Sequence, residues 1–89
     1  MNGFVYILQS LKNNSYYIGS TDNINKRIDE HNRGKSLYTK NILPVKLVFS
    51  QQYPSLKAAR KAEYWLKSLK SKNILEKIIE DKKINRVFV

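Results

Sequence analysis

Phe4-Val5-Tyr6-Ile7-Leu8 is apolar or aromatic at five consecutive positions. Side chains alternate across a strand, so this run presents apolar groups on both faces and must be covered on both. In a chain of 89 residues that demand leaves room for one domain, with a sheet between packed layers. A domain of this size buries only about 60–65% of its unfolded surface, so a shallow cleft is expected as the site, not a deep cavity.

The remaining segments supply the layers. Leu11 to Ser15 has turn chemistry, because asparagine tolerates positive φ. Tyr16 to Gly19 reads as the returning strand of a hairpin. Ser20-Thr21-Asp22 offers capping oxygens for a helix in which Ile24 and Ile28 lie one turn apart, with Gly34 as its stop. Lys35 to Ile42 reads as a polar, basic loop. Pro44 opens a third strand, Val45 to Gln52, with Val45, Leu47 and Phe49 on one face and Val48 on the other. Tyr53-Pro54-Ser55 is a turn and cap. Leu56 to Lys70 is helical, with Ala58, Ala59, Ala62, Trp65, Leu66 and Leu69 as its apolar stripe. A second short helix, Asn73 to Glu80, turns Ile74, Leu75, Ile78 and Ile79 inward. In the tail, Lys82 to Val89, the segment Val87-Phe88-Val89 either docks as an extra edge or stays loose. The predicted fold is a small α/β (α+β) domain spanning residues 1–89. It has a three-stranded antiparallel sheet flanked by helices, in the order β-β-α-β-α-α.

Charge and composition narrow the partners. Seventeen Lys and Arg face seven Asp and Glu, a net charge of +10. Such a field attracts phosphate polyanions, so nucleic acid leads as partner. Thirteen of the cations are lysine, and a compositional bias toward lysine accounts for part of the excess. An anionic membrane is the weaker alternative and is not expected, because no strongly basic helix carries a wide aromatic-rich face; no apolar run approaches the roughly 20 residues of a membrane helix. The start lacks the basic region of a signal peptide. Without cysteine there is neither a disulfide nor a thiolate metal site, which fits a cytoplasmic location.

The chemistry-bearing residues converge. Any hairpin loop of even length puts Tyr6 and Tyr17 on one face of the sheet. Gly19 beside them leaves open space, as a strand glycine often does where something approaches closely. Ile24, Ile28 and His31 share one stripe of the first helix, with Arg27 at its edge. Taken singly, the tyrosines read as packing, His31 as a satisfied core histidine, and Arg27 as a partner of Glu30 or Asp29. Together they aim a basic pair at a sheet face carrying two tyrosines. Glu63 is the one acid among six basic residues between Ser55 and Asn73. It reads either as an i,i+4 partner of Lys67 or as the single carboxylate that a hard divalent cation needs beside a phosphate. Neither an HExxH helix nor a GxxxxGK[ST] loop is present, and no serine lies in a nucleophile-elbow setting, which argues against zinc hydrolysis, nucleotide hydrolysis and a serine triad.

In this order the residues resemble the GIY-YIG nuclease superfamily. Tyr17-Ile18-Gly19 matches the second triplet and Phe4-Val5-Tyr6 stands where the first would be. The run YYIGSTDNINKRIDEHNRG, then YTK at Tyr38 to Lys40, PVKLVF at Pro44 to Phe49, and Ala59-x-x-x-Glu63 continue the likeness over about residues 3–80. It is most similar to short bacterial members related to the nuclease module of the excision-repair C subunit. The resemblance implies a metal-dependent endonuclease acting on DNA, structure-specific or repair-related, with one Mg²⁺ or Mn²⁺. It implies that Glu63 holds the ion, Tyr6 acts on the attacking water, and Tyr17 orients that water or the phosphate. Arg27 would neutralise growing charge, while His31 would tune Tyr6 or assist proton transfer. Arg27, a protonated His31 and the ion together are expected to lower the Tyr6 pKa toward a phenolate. Gly19 would leave room for the phosphate. Arg33, Lys35, Lys40 and Lys46 are candidates for nucleic-acid backbone contacts, and Tyr38 and Tyr64 for stacking on an unpaired base. DNA is placed ahead of RNA. The first triplet departs from the pattern, Phe-Val replacing Gly-Ile. With no second recognition domain expected, substrate choice would come from the basic surface or from a protein partner. A non-catalytic binding module, or a nuclease subunit activated by a partner, is the alternative.

Overall fold

The structure, a computed structural model, describes residues 2–89. The five-residue apolar run lies inside the middle strand of the sheet, where both of its faces are covered. Three antiparallel strands, β1 (Gly3–Ser10), β2 (Tyr16–Thr21) and β3 (Val45–Tyr53), pair in the order β2-β1-β3. Helix α1 (Ile24–Asn32) covers one face; α2 (Leu56–Leu69) and α3 (Lys72–Asp81) cover the other. This is the three-stranded antiparallel α/β arrangement that the pattern predicts. Among the described residues no helix is long and apolar enough to cross a membrane.

The alternation of β1 divides the core in two. Val5 and Ile7 point to the α2 side, where they meet Ile18, Phe49, Tyr53, Ala58, Ala59, Ala62 and Leu66. The three alanines let α2 approach the sheet closely. Tyr6 and Leu8 point to the α1 side, with Val45, Ile24 and Ile28. In the hairpin, Ser10 N–H donates to Ser15 O, leaving the four residues Leu11 to Asn14 as the loop, with Asn14 at φ 63°. Four is even, so Tyr6 and Tyr17 do share a face; Tyr6 stands opposite Gly19 and Tyr17 opposite Leu8.

Strand β3 departs from simple alternation. Its register against β1 shifts between Ile7 and Leu8: Ile7 faces Phe49, whereas Leu8 faces Leu47. Val48 is the extra residue of a β-bulge, and a bulge reverses the face of everything beyond it. Val45 and Leu47 therefore lie on the α1 side, but Phe49 lies on the α2 side with Val48 packed against the same cluster. The expectation of Val45, Leu47 and Phe49 on one face fails for that reason.

The ends of the elements follow their side chains. Asn23, not Ser20, Thr21 or Asp22, caps α1, accepting from Lys26 N, while Thr21 Oγ1 accepts from Asn23 N. Gly34, at φ 77°, closes the helix by donating to His31 O. Ser55 and Ser71 cap α2 and α3. In α3, Ile78 is buried, but Ile74 faces outward. The loop from Lys35 to Ile42 is better anchored than its polarity suggests, for Ser36 and Thr39 are buried and Lys40–Ile42 forms a 3-10 turn.

Two amide side chains fasten the irregular segments. Asn32 accepts from Val45 N and donates to Val45 O, fixing the entry of β3. Gln51 does the same for the tail, accepting from Ile84 N at 2.8 Å and donating to Ile84 O at 3.2 Å. The tail thus docks through buried Ile84 and through Phe88, whose ring meets Tyr53 and Trp65, and it adds no strand to the sheet. Gln51→Leu is expected to cost about 1–3 kcal/mol in urea unfolding, because it orphans two backbone groups. The Ile84 amide should lose its hydrogen-exchange protection in the same variant. Unchanged protection would mean that Gln51 does not hold the tail.

Candidate active site

Five of the singled-out side chains, Tyr6, Tyr17, Arg27, His31 and Tyr38, meet on the α1 face. Tyr6 is 1% exposed because it stands on the central strand under α1. Its hydroxyl is 3.0 Å from His31 Nε2 and accepts from Arg27 Nε at 3.4 Å. His31, fully buried, has its second ring nitrogen 2.7 Å from Thr39 Oγ1, also fully buried. Tyr17 packs edge-on against the His31 ring and stacks on Tyr38, which is 80% exposed. None of these hydrogen bonds uses the Tyr17 hydroxyl.

The protonation states differ from those the residue types suggest. Burial, outweighing the pull of Arg27, raises the Tyr6 pKa above that of an ordinary phenol. Burial first, and the Arg27 charge second, lower the His31 pKa below that of an ordinary imidazole. At neutral pH the pair is a neutral phenol against a neutral imidazole. The part of the expected drop in the Tyr6 pKa that rests on Arg27 and a protonated His31 is therefore corrected: desolvation dominates both groups. The shared geometry favours one tautomer. The Tyr6 oxygen already accepts from Arg27, so its proton is directed to Nε2, leaving the imidazole proton on Nδ1, where Thr39 Oγ1 accepts it.

Gly19 does not leave an open space. A Cβ there would collide with the Tyr6 hydroxyl and lie 2.5 Å from Tyr6 Cζ, so the room above the glycine belongs to the Tyr6 ring. The glycine serves the tyrosine directly opposite it, and the expectation of a phosphate berth at Gly19 is corrected.

Glu63 comes from the other layer. Ser20 pairs with Val5 and so faces α2, where its hydroxyl donates to Glu63 Oε1 at 2.5 Å. Lys67 Nζ sits 2.6 Å from Oε2, the i,i+4 pair expected from the spacing. The two halves meet around β2, the edge strand. Glu63 is close enough to add to the upward shift of Tyr6, after burial and Tyr17. The Lys67 pKa is held up by Glu63 foremost and, more weakly, by Tyr17 and Tyr38. The site therefore straddles a sheet edge, with a phenol–imidazole–guanidinium group on one side and a carboxylate–ammonium pair on the other.

The other candidates scatter. Arg33 is exposed and engaged with Asp29 at 3.0 Å, and Lys35 and Lys40 are exposed on the loop after α1. Lys46 pairs with Gln9 on the far edge strand, β3, away from Tyr17. Tyr64 is exposed on α2, next to Glu63 in sequence. Three participants carried no expected role at the site: Thr39, which lies inside the YTK stretch, Ser20, which reads as a cap, and Lys67, which reads only as a surface partner of Glu63.

The His31 environment has a signed consequence. An unfolded histidine titrates near pH 6.5, and the folded value is lower. In that window the unfolded chain binds the extra proton, so stability is full above it and falls as pH drops through it. Arg27, Glu30, Tyr6 and Tyr17 are the ionisable groups around the ring. In urea titrations at pH 7.5 and 5.5, His31→Gln should lose less stability on acidification than the wild type. Equal losses would mean that His31 is not buried as a neutral ring.

Comparison with known proteins identifies the chain's relatives. The family model described as the GIY-YIG catalytic domain matches residues 2–77. The UPF0213 protein YazA of Bacillus subtilis is 40% identical over 92% of this chain and 82% of its own. A UPF0213 protein of Bacillus licheniformis is 40% identical over 92% of this chain and 84% of its own. The solution NMR structure of a UPF0213 protein from Bacillus halodurans superposes with a TM-score of 0.59 at 37% identity, covering 92% of this chain and 86% of that one.

Proposed function

The chain belongs to the GIY-YIG family, a nuclease family, and from that premise we propose that it hydrolyses phosphodiester bonds in DNA. One observation carries the reading. The buried Tyr6 hydroxyl is held between Arg27 and His31, and the Glu63 carboxylate stands across the β2 edge, in a chain of net charge +10. The substrate proposed is a branched or damaged DNA of the kind met in repair.

The cofactor proposed is one Mg²⁺ or Mn²⁺ at Glu63. Among the described residues no three His, Cys, Asp or Glu side chains cluster, so a closed protein cage is not the fit. A single carboxylate completed by water and substrate oxygens is, and that is how Mg²⁺ commonly binds beside phosphate. Glu63 is 22% exposed and receives one bond on each oxygen, from Ser20 and Lys67, which leaves lone pairs available on both. When bound, the ion would supply positive charge to the phosphate and the leaving oxygen.

The protein's own residues would manage the protons and the remaining charge. The attacking water gives its proton to the Tyr6 oxygen as the phenolic proton passes to His31 Nε2, and the new oxygen–phosphorus bond forms as the bond to the leaving oxygen breaks. A full phenolate is never required, which suits a phenol whose pKa is raised. The imidazolium formed keeps its Nδ1–H on Thr39. Arg27 uses one N–H on Tyr6 and one on Glu30, at 3.5 Å, so three of its five donors can face the phosphate. Tyr17, fixed by ring contacts on both sides, would orient the phosphate or the water.

Cleavage of labelled single-stranded, duplex, flap and four-way DNA tests the proposal. The wild type should cut at least one of them in Mg²⁺ or Mn²⁺ and none in EDTA. Tyr6→Phe, Arg27→Ala and Glu63→Ala should each lower the rate by about 100-fold or more, while DNA is still bound. Binding without cleavage of any substrate would favour the binding-module reading, and cleavage that survives in Glu63→Ala would remove Glu63 from the site.

A further inference from the structure

Next to the site, on the α2 side of the hairpin, a cleft of about 610 Å³ opens between the hairpin loop and the α2–α3 junction. Tyr16, Ile18, Leu66 and Leu75 form its apolar wall, and Lys67, Lys70 and Lys72 its basic rim. Tyr17 and Lys67 belong both to the cleft and to the catalytic group, so the two are continuous. None of these residues is accounted for by phosphodiester chemistry alone, save the two they share.

We propose that this cleft is a subsite for an unpaired nucleotide adjoining the scissile phosphate, with its base against the apolar wall and its phosphates on Lys70 and Lys72. The proposal rests on the phosphodiesterase reading and names the substrate feature that the site prefers. Three properties of the cleft support it. Its volume lies in the range of small-ligand sites and is too small for a duplex. Its charge complements a phosphate track: among the described residues neither Lys70 nor Lys72 pairs with a carboxylate, and the Lys72 ammonium is 5.9 Å from the Tyr16 ring centre. The combination of aromatic surface and lysine rim is the one that binds single strands without reading sequence. Burial first and Glu76 second raise the Tyr16 pKa above that of an ordinary phenol, which is uncharged at neutral pH in any case, so the ring offers a neutral face. A strand lying across the β2 edge would then pass from Tyr38 and Tyr17 over the carboxylate into the cleft.

Fluorescence anisotropy in EDTA, with a dT10 strand and a duplex of equal length, tests the subsite without turnover. Lys70→Asn/Lys72→Gln removes two charges, and asparagine tolerates the left-handed backbone at position 70, where φ is 48°. Lys57→Gln/Arg60→Gln, on the exposed side of α2, removes two charges elsewhere. The cleft pair should weaken dT10 binding about 10-fold and the control pair by less than about 3-fold, while both pairs affect the duplex equally. A ¹⁵N-HSQC titration of the wild type with dT5 should shift the amides of Asn14, Ser15, Lys70, Ser71 and Leu75. Equal weakening of dT10 by the two pairs, or amide shifts confined to α1 and β3, would overturn the proposal. A wild type that binds dT10 in this way yet cuts nothing would sink the phosphodiesterase reading and leave the subsite standing.

Discussion

The hydrogen bond between the Tyr6 hydroxyl and His31 Nε2 ties the two halves of this protein's logic together. Structurally it seats α1 on the central strand, since both partners are buried and each satisfies the other's polar atom. Chemically, the burial in which it lies decides both protonation states, for a desolvated phenol stays protonated and a desolvated imidazole stays neutral. Gly19 makes the bond possible by clearing the space that the Tyr6 ring fills. Thr39 completes it from the loop after α1, which explains why a stretch so polar is partly buried.

The edge position of β2 does the rest. A strand in the middle of a sheet is walled off on both sides, but an edge strand lets groups from opposite faces approach one another around it. Glu63 and Lys67 reach this edge from α2, while Tyr6, Tyr17 and Arg27 reach it from the α1 side. A polyanion drawn in by the overall charge would meet the ammonium of Lys67 against Glu63 before either group is free. Together with the Ser20 hydroxyl on the other oxygen, that pairing keeps the carboxylate satisfied. It also means that any ion held by Glu63 must compete with, or share with, Lys67.

Much of this was legible in the sequence, and the reasons for the rest are physical. A five-residue run apolar on both faces demands a central strand, and an even hairpin loop places Tyr6 with Tyr17. The alanine stripe of α2 identifies the helix that packs closest. A bulge leaves no mark in hydrophobic periodicity, so Phe49 changed faces unannounced. The space above Gly19 depends on a cross-strand neighbour, and neighbours follow from register, not from local sequence. Residue type alone suggested that a cationic histidine would pull the tyrosine toward a phenolate; burial depth decides the opposite, and depth is a property of the assembled layers. The tail docks through an amide–backbone pairing at Gln51, which no apolar pattern reports.

The central claim is that Tyr6 and His31 form a neutral pair with the imidazole proton on Nδ1, ready to move one proton from the substrate side into the interior. A long-range ¹H–¹⁵N correlation spectrum of the His31 ring at pH 7 tests it directly. The account predicts a neutral ring in a single tautomer, Nδ1 protonated and Nε2 bare, with a pKa below the ordinary 6.5 or so. A protonated ring, or a neutral ring with its proton on Nε2, would contradict it, because His31 could not then accept the Tyr6 proton.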